Sequence, residues 1–158
     1  MPYFRFMKKL VIRDAQSADL TTLLRFEQEL IKAERPFDPT IAKDPVSYYD
    51  IEEYVNRDDV KIVIGEVDGT LVSSGYALKK EARPYLDHKY YGYLGFMYTI
   101  PAYRGKGINQ KIIAELVSWC HGQGLMEIRL TVYDENLPAL RAYEKVGFKK
   151  HICEMRIV

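Results

Sequence analysis

The segment Ile100-Pro101-Ala102-Tyr103-Arg104-Gly105-Lys106-Gly107-Ile108-Asn109 does most to limit what this chain can fold into. It carries the chain out of an apolar strand, round a turn with two glycines, and into an amphipathic helix. A helix start has unpaired N–H groups and a partial positive charge, so it attracts anions. Gly105 and Gly107 lack a Cβ, which lets a phosphate come close to the backbone, and Arg104 and Lys106 add charge beside them. On this segment alone, an ordinary strand–turn–helix corner with a basic surface stays open. The common nucleotide signatures are absent. There is no G-x-x-x-x-G-K-[ST], and no G-x-G-x-x-G with an acidic residue about 20 positions later.

The second constraining segment is Asn136-Leu137-Pro138-Ala139-Leu140-Arg141-Ala142-Tyr143-Glu144-Lys145-Val146-Gly147-Phe148. Asn136 is a good N-cap, Pro138 suits a first turn, and Gly147 is placed to end the helix. Ala139, Ala142, Tyr143 and Val146 recur at three- and four-residue spacing and predict one packed face. An isolated tyrosine there reads as a core aromatic. Taken in order, with a helix and a strand between them, the two segments resemble the signatures of the GNAT N-acetyltransferase superfamily. The first matches [Gln/Arg]-x-x-Gly-x-[Gly/Ala], with Asn109 in place of Gly or Ala. The second matches Asn-x-x-Ala-x-x-x-Tyr-x-x-x-Gly-Phe. The resemblance extends from about Leu10 to Val158.

Periodicity along the chain predicts a strand over 9–13 and a helix from Ser17 or Asp19 to Glu34. That helix has an apolar stripe of Leu20, Leu23, Leu24, Leu30 and Ile31. Pro36, Pro39 and Pro45 predict a loop, and a short helix is expected over 47–56. Strands are expected over 60–67 and 70–78, joined by an Asp68-Gly69 hairpin turn. Further strands follow over 90–100, 127–133 and 148–158, with helices over 107–122 and 138–146. This order gives an α/β fold of the α+β kind, a mixed sheet covered by helices. The GNAT resemblance implies the same, a single domain over 1–158 with a mostly antiparallel central sheet. Residues 1–8 read as a disordered extension.

The 158 residues can bury a sizeable core without staples. They are 47% hydrophobic, with no apolar run near 18 residues, and no signal-peptide pattern opens the chain. No membrane association and a cytoplasmic location are therefore expected. Cys120 and Cys153 are too few for a disulfide framework, and Cys120, beside Trp119, reads as a small buried hydrophobe. His88, His121 and His151 stand apart, so no metal is expected. A net charge of +1 argues against a nucleic-acid partner. Residues 34–59, with three basic and eight acidic side chains, carry −5, and residues 100–158, with nine and six, carry +3. The acidic stretch reads as a solvated face or as a field for a cationic substrate.

The resemblance also implies chemistry. Acetyl-CoA would be the cosubstrate, with its pyrophosphate held by the backbone of Arg104, Gly105, Lys106, Gly107, Ile108, Asn109 and Gln110. Met97, Tyr98 and Thr99 would pair with the pantetheine arm, and Gly95 would mark a bulge that splays their strand. Asn136 would touch the cofactor, and the Tyr143 hydroxyl would protonate the departing thiolate. The acceptor would be an amine of a small molecule or peptide, cationic in view of residues 34–59, and a homodimer is admitted. Relatives often carry a carboxylate base near the positions of Gly95 and Phe96, or of Thr131. Here Glu81, Asp87, His88, Tyr93, Tyr98, ordered water or no dedicated base remain open. The alternative reading is a catalytically weak acyl-CoA-binding sensor or assembly module.

Overall fold

Asp68 and Gly69 both take left-handed backbone angles, φ 49° and 78°, as a two-residue type I′ hairpin turn requires. They join β2 (Val60–Val67) to β3 (Thr70–Glu81). The protein is described by a computed structural model over residues 9–158; the extension expected at 1–8 lies outside the described residues. β1 (Leu10–Asp14), β4 (Tyr90–Thr99) and β5 (Ile128–Leu130) complete the sheet. Its strand order is β1-β2-β3-β4-β5. The first four strands are antiparallel neighbours, and β5 lies parallel to β4.

The helices cover both faces. α3 (Ile108–Gly122) buries Ile108, Ile112, Ile113, Leu116 and Cys120 against Val63, Val67, Val72 and Leu94. On the opposite face, α1 (Leu20–Glu34) and α2 (Ile51–Val55) bury Leu23, Phe26 and Ile51 against Ile62, Ile64, Tyr76, Phe96 and Tyr98. Strand alternation sorts the side chains of β2 between these two cores. α4 (Leu137–Lys145) follows β5 and packs Tyr143 onto the α3-side core. Among the described residues, no helix is long and apolar enough to cross a membrane.

Two regions depart from the sequence expectation. The helix expected over 47–56 forms only at 51–55, with the Asp50 side chain accepting from the Glu53 N–H as its cap. Residues 47–49 are held instead by Glu27, which is 1% exposed. Its Oε2 accepts from the N–H groups of Tyr48 (3.0 Å) and Tyr49 (2.8 Å). In a helix starting at 47 these first-turn N–H groups would have no intrahelical partner, whereas here they satisfy a buried carboxylate that needs donors. Towards the C-terminus, β5 ends at Leu130 rather than 133, and residues 148–158 form no strand. Ile152, Met155, Ile157 and Val158 are exposed, so this end has no covered face to favour a ladder.

Candidate active site

β4 changes phase in its middle. Leu94 and Met97 belong to the α3-side core, while Tyr93, Phe96 and Tyr98 belong to the α1-side core. Simple alternation would not place Tyr93 and Phe96 together, so one residue has been inserted between them. The register agrees: Ser74 pairs with Tyr98 but Tyr76 pairs with Gly95. Two residues therefore oppose one, as in a β-bulge, and Phe96 takes φ 56°. The bulge falls where Gly95 was expected to mark it, although the left-handed residue is Phe96. Gly95 has a separate task. A Cβ on it would stand 2.5 Å from Tyr76 Cζ, so the position is open to no side chain, a carboxylate included.

Past the bulge, β4 loses its neighbour. Its last pairing with β5 is Leu94 to Leu130, so the β5-side edge from Gly95 to Thr99 is unpaired. Met97 and Tyr98 turn their side chains into opposite cores, the Tyr98 ring 4.9 Å from that of Phe26. Their contribution to any ligand must come from backbone. Ser73 Oγ donates to the Tyr98 carbonyl at 2.8 Å and lies 2.8 Å from Thr99 Oγ1, which fixes this edge from behind.

The chain then enters α3. Gly105 and Gly107 both have left-handed φ, 75° and 78°, which explains glycine at both positions. No atom lies within 4 Å of where a Gly105 Cβ would be, and at Gly107 only Gln110 Oε1 does, at 3.9 Å. Gly107 is the N-cap of a 15-residue helix with no side-chain cap, so the first-turn N–H groups of Ile108, Asn109 and Gln110 face an open cradle. Arg104 Nε donates to the Thr99 carbonyl at 2.9 Å, locking the turn to the strand end. Lys106 lies over the Tyr103 ring, 5.1 Å from its centroid.

The opposite wall comes from α4 and α1. Asn136 caps α4, its Oδ1 accepting from the Ala139 N–H at 3.4 Å, which leaves its NH₂ to donate elsewhere. Tyr143 is packed edge-on to Phe148, 6.0 Å between centroids. Burial, helped by Glu34 and Tyr93, pushes its hydroxyl up to about 12, so it stays protonated across the neutral range. The Tyr93 hydroxyl donates to Thr131 Oγ1 at 2.8 Å, just beyond the last β4–β5 pair. On the α1 side, Tyr49 lies 5.4 Å from the Phe96 ring, with its hydroxyl beside the Phe96 backbone amide. Phe37 stacks on Tyr133 at 5.9 Å. Tyr49, Tyr133 and Glu34 were not among the catalytic candidates drawn from the sequence. The available signal was two acids, Glu27 and Glu34, on the otherwise apolar stripe of α1.

Three of the expected base candidates stand elsewhere. Glu81 pairs with Tyr90, and Asp87 and His88 lie in the loop before it. Tyr90 and Thr99 are nine residues apart on β4, roughly 30 Å at the usual strand rise. His88 instead bridges Asp87 and Glu127. The hydrogen bond to Asp87, with Glu127 adding to it, raises its pKa. Among the described residues, no group of acids, cysteines and histidines could hold a metal.

β4 thus bulges, keeps a free edge past the bulge, and opens into an uncapped glycine helix start. The chain belongs to the acetyltransferase (GNAT) family, whose model matches residues 26–148. It is 28% identical over 150 residues to a thialysine N-epsilon-acetyltransferase from Bos taurus, covering 89% of this chain and 85% of that protein. To the protein of that name from Mus musculus it is 38% identical over 55 residues, 35% of this chain and 32% of that one, so the match spans about a third of the mouse protein's length. A crystal structure of a predicted acetyltransferase with acetyl-CoA from Clostridium acetobutylicum superposes with a TM-score of 0.70. It is 20% identical, with 95% of this chain and 96% of that one covered, and the likeness shows the fold.

Proposed function

We propose that the protein is an acetyl-CoA-dependent N-acetyltransferase acting on a primary amine of a small molecule or peptide. The observation that carries this reading is the open glycine cradle beside the unpaired edge of residues 95–99 at the end of β4, with Tyr143, kept protonated by burial, on the helix that follows β5. The backbone of Arg104–Gln110 would hold the pyrophosphate, with Arg104 and Lys106 adding positive charge. The free edge of Met97, Tyr98 and Thr99 would pair with the pantetheine amides much as an added strand does. Asn136 would donate its NH₂ to the cofactor. Tyr143 would then lie where sulfur leaves, with a proton to give. The −5 balance of residues 34–59 supports a cationic acceptor, and so does the similarity to thialysine N-epsilon-acetyltransferases.

The test is release of CoA thiol from acetyl-CoA in the presence of thialysine, lysine and an aminoglycoside. Release with at least one amine is expected. Gly107→Glu, which puts bulk and negative charge into the cradle, should abolish CoA binding by calorimetry. Undiminished binding in that variant would mean that the site is misplaced. Tight CoA binding by the wild type without turnover of any amine would favour the acyl-CoA-binding module instead.

A further inference from the structure

Residues 149–158 form an arm with a strand pattern and no strand. Every residue of it is exposed, and its backbone makes no hydrogen bond with the described residues. Ile152, Met155, Ile157 and Val158 are large apolar side chains left in water, as is Met126 just before β5. β5 itself is incomplete. It is the last strand of the sheet and, among the described residues, pairs only with β4. Its outer N–H and C=O groups are unspent, and Ile128, Arg129 and Leu130 are only half-buried. A free edge of this kind is a template for another strand.

The two sequences fit in one antiparallel register. With Met155 opposite Ile128, Cys153 comes opposite Leu130 and Ile157 opposite Met126. On the other face, Glu154 comes opposite Arg129 and Lys149 opposite Asp134. Apolar and opposite-charge pairs are the ones that stabilise a ladder. Ile128 and Leu130 pack on the α3-side core, so Cys153 and Met155 would extend that core. A slip of one residue sets Met155 against Arg129 or Glu127 and turns the apolar face over. A slip of two sets Arg156 against Arg129, or Glu154 against Glu127.

The chain's own arm cannot take this register, because it runs the same way as its own β5. α4 starts at the C-terminal end of β5, where Asn136 donates to the Tyr133 carbonyl, and leads the chain away from there. The arm then returns to that end: Arg156 donates to Asp38 and Thr40, next to Phe37, which stacks on Tyr133. A helical crossover of this kind gives a parallel neighbour. A two-fold axis perpendicular to the strands reverses the arm of a second copy and gives the antiparallel direction.

We propose that the protein forms a symmetric dimer in which residues 149–158 of each copy add antiparallel to the free edge of β5 in the other, Met155 opposite Ile128. The same surface is given and received on both sides, as a closed two-fold contact requires. The apolar side chains of the arm and Met126 are covered together, and the arm gains the partner that its pattern lacks within one chain.

The experiment takes the whole chain in two measurements. Size exclusion with light scattering at micromolar concentration should give twice the monomer mass for wild type. Met155→Asp combined with Ile157→Asp should halve it, and both positions are exposed within one chain, so the separate subunit keeps its fold. The second measurement reads the register. Leu130→Cys sets a thiol opposite the exposed native Cys153, and facing residues of an antiparallel pair lie within disulfide reach. Mild oxidation should link position 130 of one copy to Cys153 of the other, as a covalent dimer that reductant dissolves. Arg129→Cys, on the other face of β5, should form no such link. A monomeric wild type overturns the proposal. So does a dimer whose mass the double aspartate variant leaves unchanged, or a disulfide from position 130 to Cys153 within one chain.

Discussion

β3 and β4 stay paired from Ser73–Thr99 to Glu81–Tyr90, whereas β4 and β5 pair only from Gly92–Ile128 to Leu94–Leu130. The first ladder is antiparallel, sealed on both faces by buried side chains and backed by Ser73 and Ser74 hydroxyls that donate to the Tyr98 and Phe96 carbonyls. The second is parallel and short, and one side-chain contact prolongs it, the Tyr93–Thr131 hydrogen bond. The contrast explains the position of the cleft. A ligand that binds by backbone hydrogen bonds needs donors and acceptors that are rigidly held yet unspent. Only the boundary between a strong ladder and an interrupted one supplies both.

The sharpest way to probe the weaker side is chemical. Tyr143→Phe keeps the ring and its packing and removes the hydroxyl. Turnover should fall about 10²–10⁴-fold while calorimetry shows CoA affinity nearly unchanged. An equal loss of affinity would instead make Tyr143 part of the wall. Stability probes the stronger side. Phe26→Ala, at a 1% exposed site under the β3–β4 ladder, should cost about 3–5 kcal/mol. Leu130→Ala, on the half-buried β5, should cost clearly less. Thermal melts of the two variants make the comparison, at roughly 2–4 °C per kcal/mol for a chain of this size. If Leu130→Ala matched Phe26→Ala, the asymmetry of the two ladders would have no energetic counterpart.

A smaller effect is expected at the boundary itself. Gly95→Ala drives a methyl into the Tyr76 ring, an overpacking worth about 1–3 kcal/mol. Tyr76→Leu should relieve part of it, so the double variant should fall short of the summed losses. Next comes a pH effect on the antiparallel side. Arg13 joins Asp19 to Glu66, and its hydrogen bonds hold the Asp19 carboxyl below its usual pKa. A depressed pKa stabilises the fold above the unfolded value, about 3.9, and that stability is lost as pH falls through the folded value. Asp19→Asn should therefore be less stable near neutrality, and the gap to wild type should close below pH about 4. Smallest is Arg156→Ala, which breaks exposed contacts to Asp38 and Thr40 and should leave the melting temperature nearly unchanged, because solvent screens such pairs.

Legibility in the sequence follows the same divide. The apolar alternation of residues 60–67 and the Asp68-Gly69 turn announce β2 and its hairpin, because local chemistry and tertiary packing agree there. The helix starts at Gly107 and Asn136, and the glycine stop at 147 with φ 107°, are equally plain, since caps are local. The C-terminal strand over 148–158 is legible as β pattern but does not form, because pattern alone supplies no partner. Glu27 shows the other limit. It reads as a polar interruption of the α1 stripe, yet its role depends on the backbone of Tyr48 and Tyr49, which approaches only when the chain has folded. His88 attracts interest for its side-chain chemistry and loses it through topology, since the loop that carries it lies at the wrong end of β4.

The spatial order of the strands, β1 to β5, is also their order in the chain, and this has a consequence for how the protein assembles and opens. The β2–β3–β4 meander needs only short loops to close, so its entropic cost of formation is low and it can form early. β5 must wait for α3 to cross from one end of the sheet to the other, and α4 with Tyr143 must wait for β5. The wall that completes the cleft is thus the last to be added and the least cooperatively tied to the rest. Amide hydrogens of Ile128–Leu130 and α4 should exchange well before those of β3, with CoA slowing the former far more than the latter. Entry and release of the cofactor could then proceed through local opening of this late-formed flank, while the meander that carries the bulge stays closed.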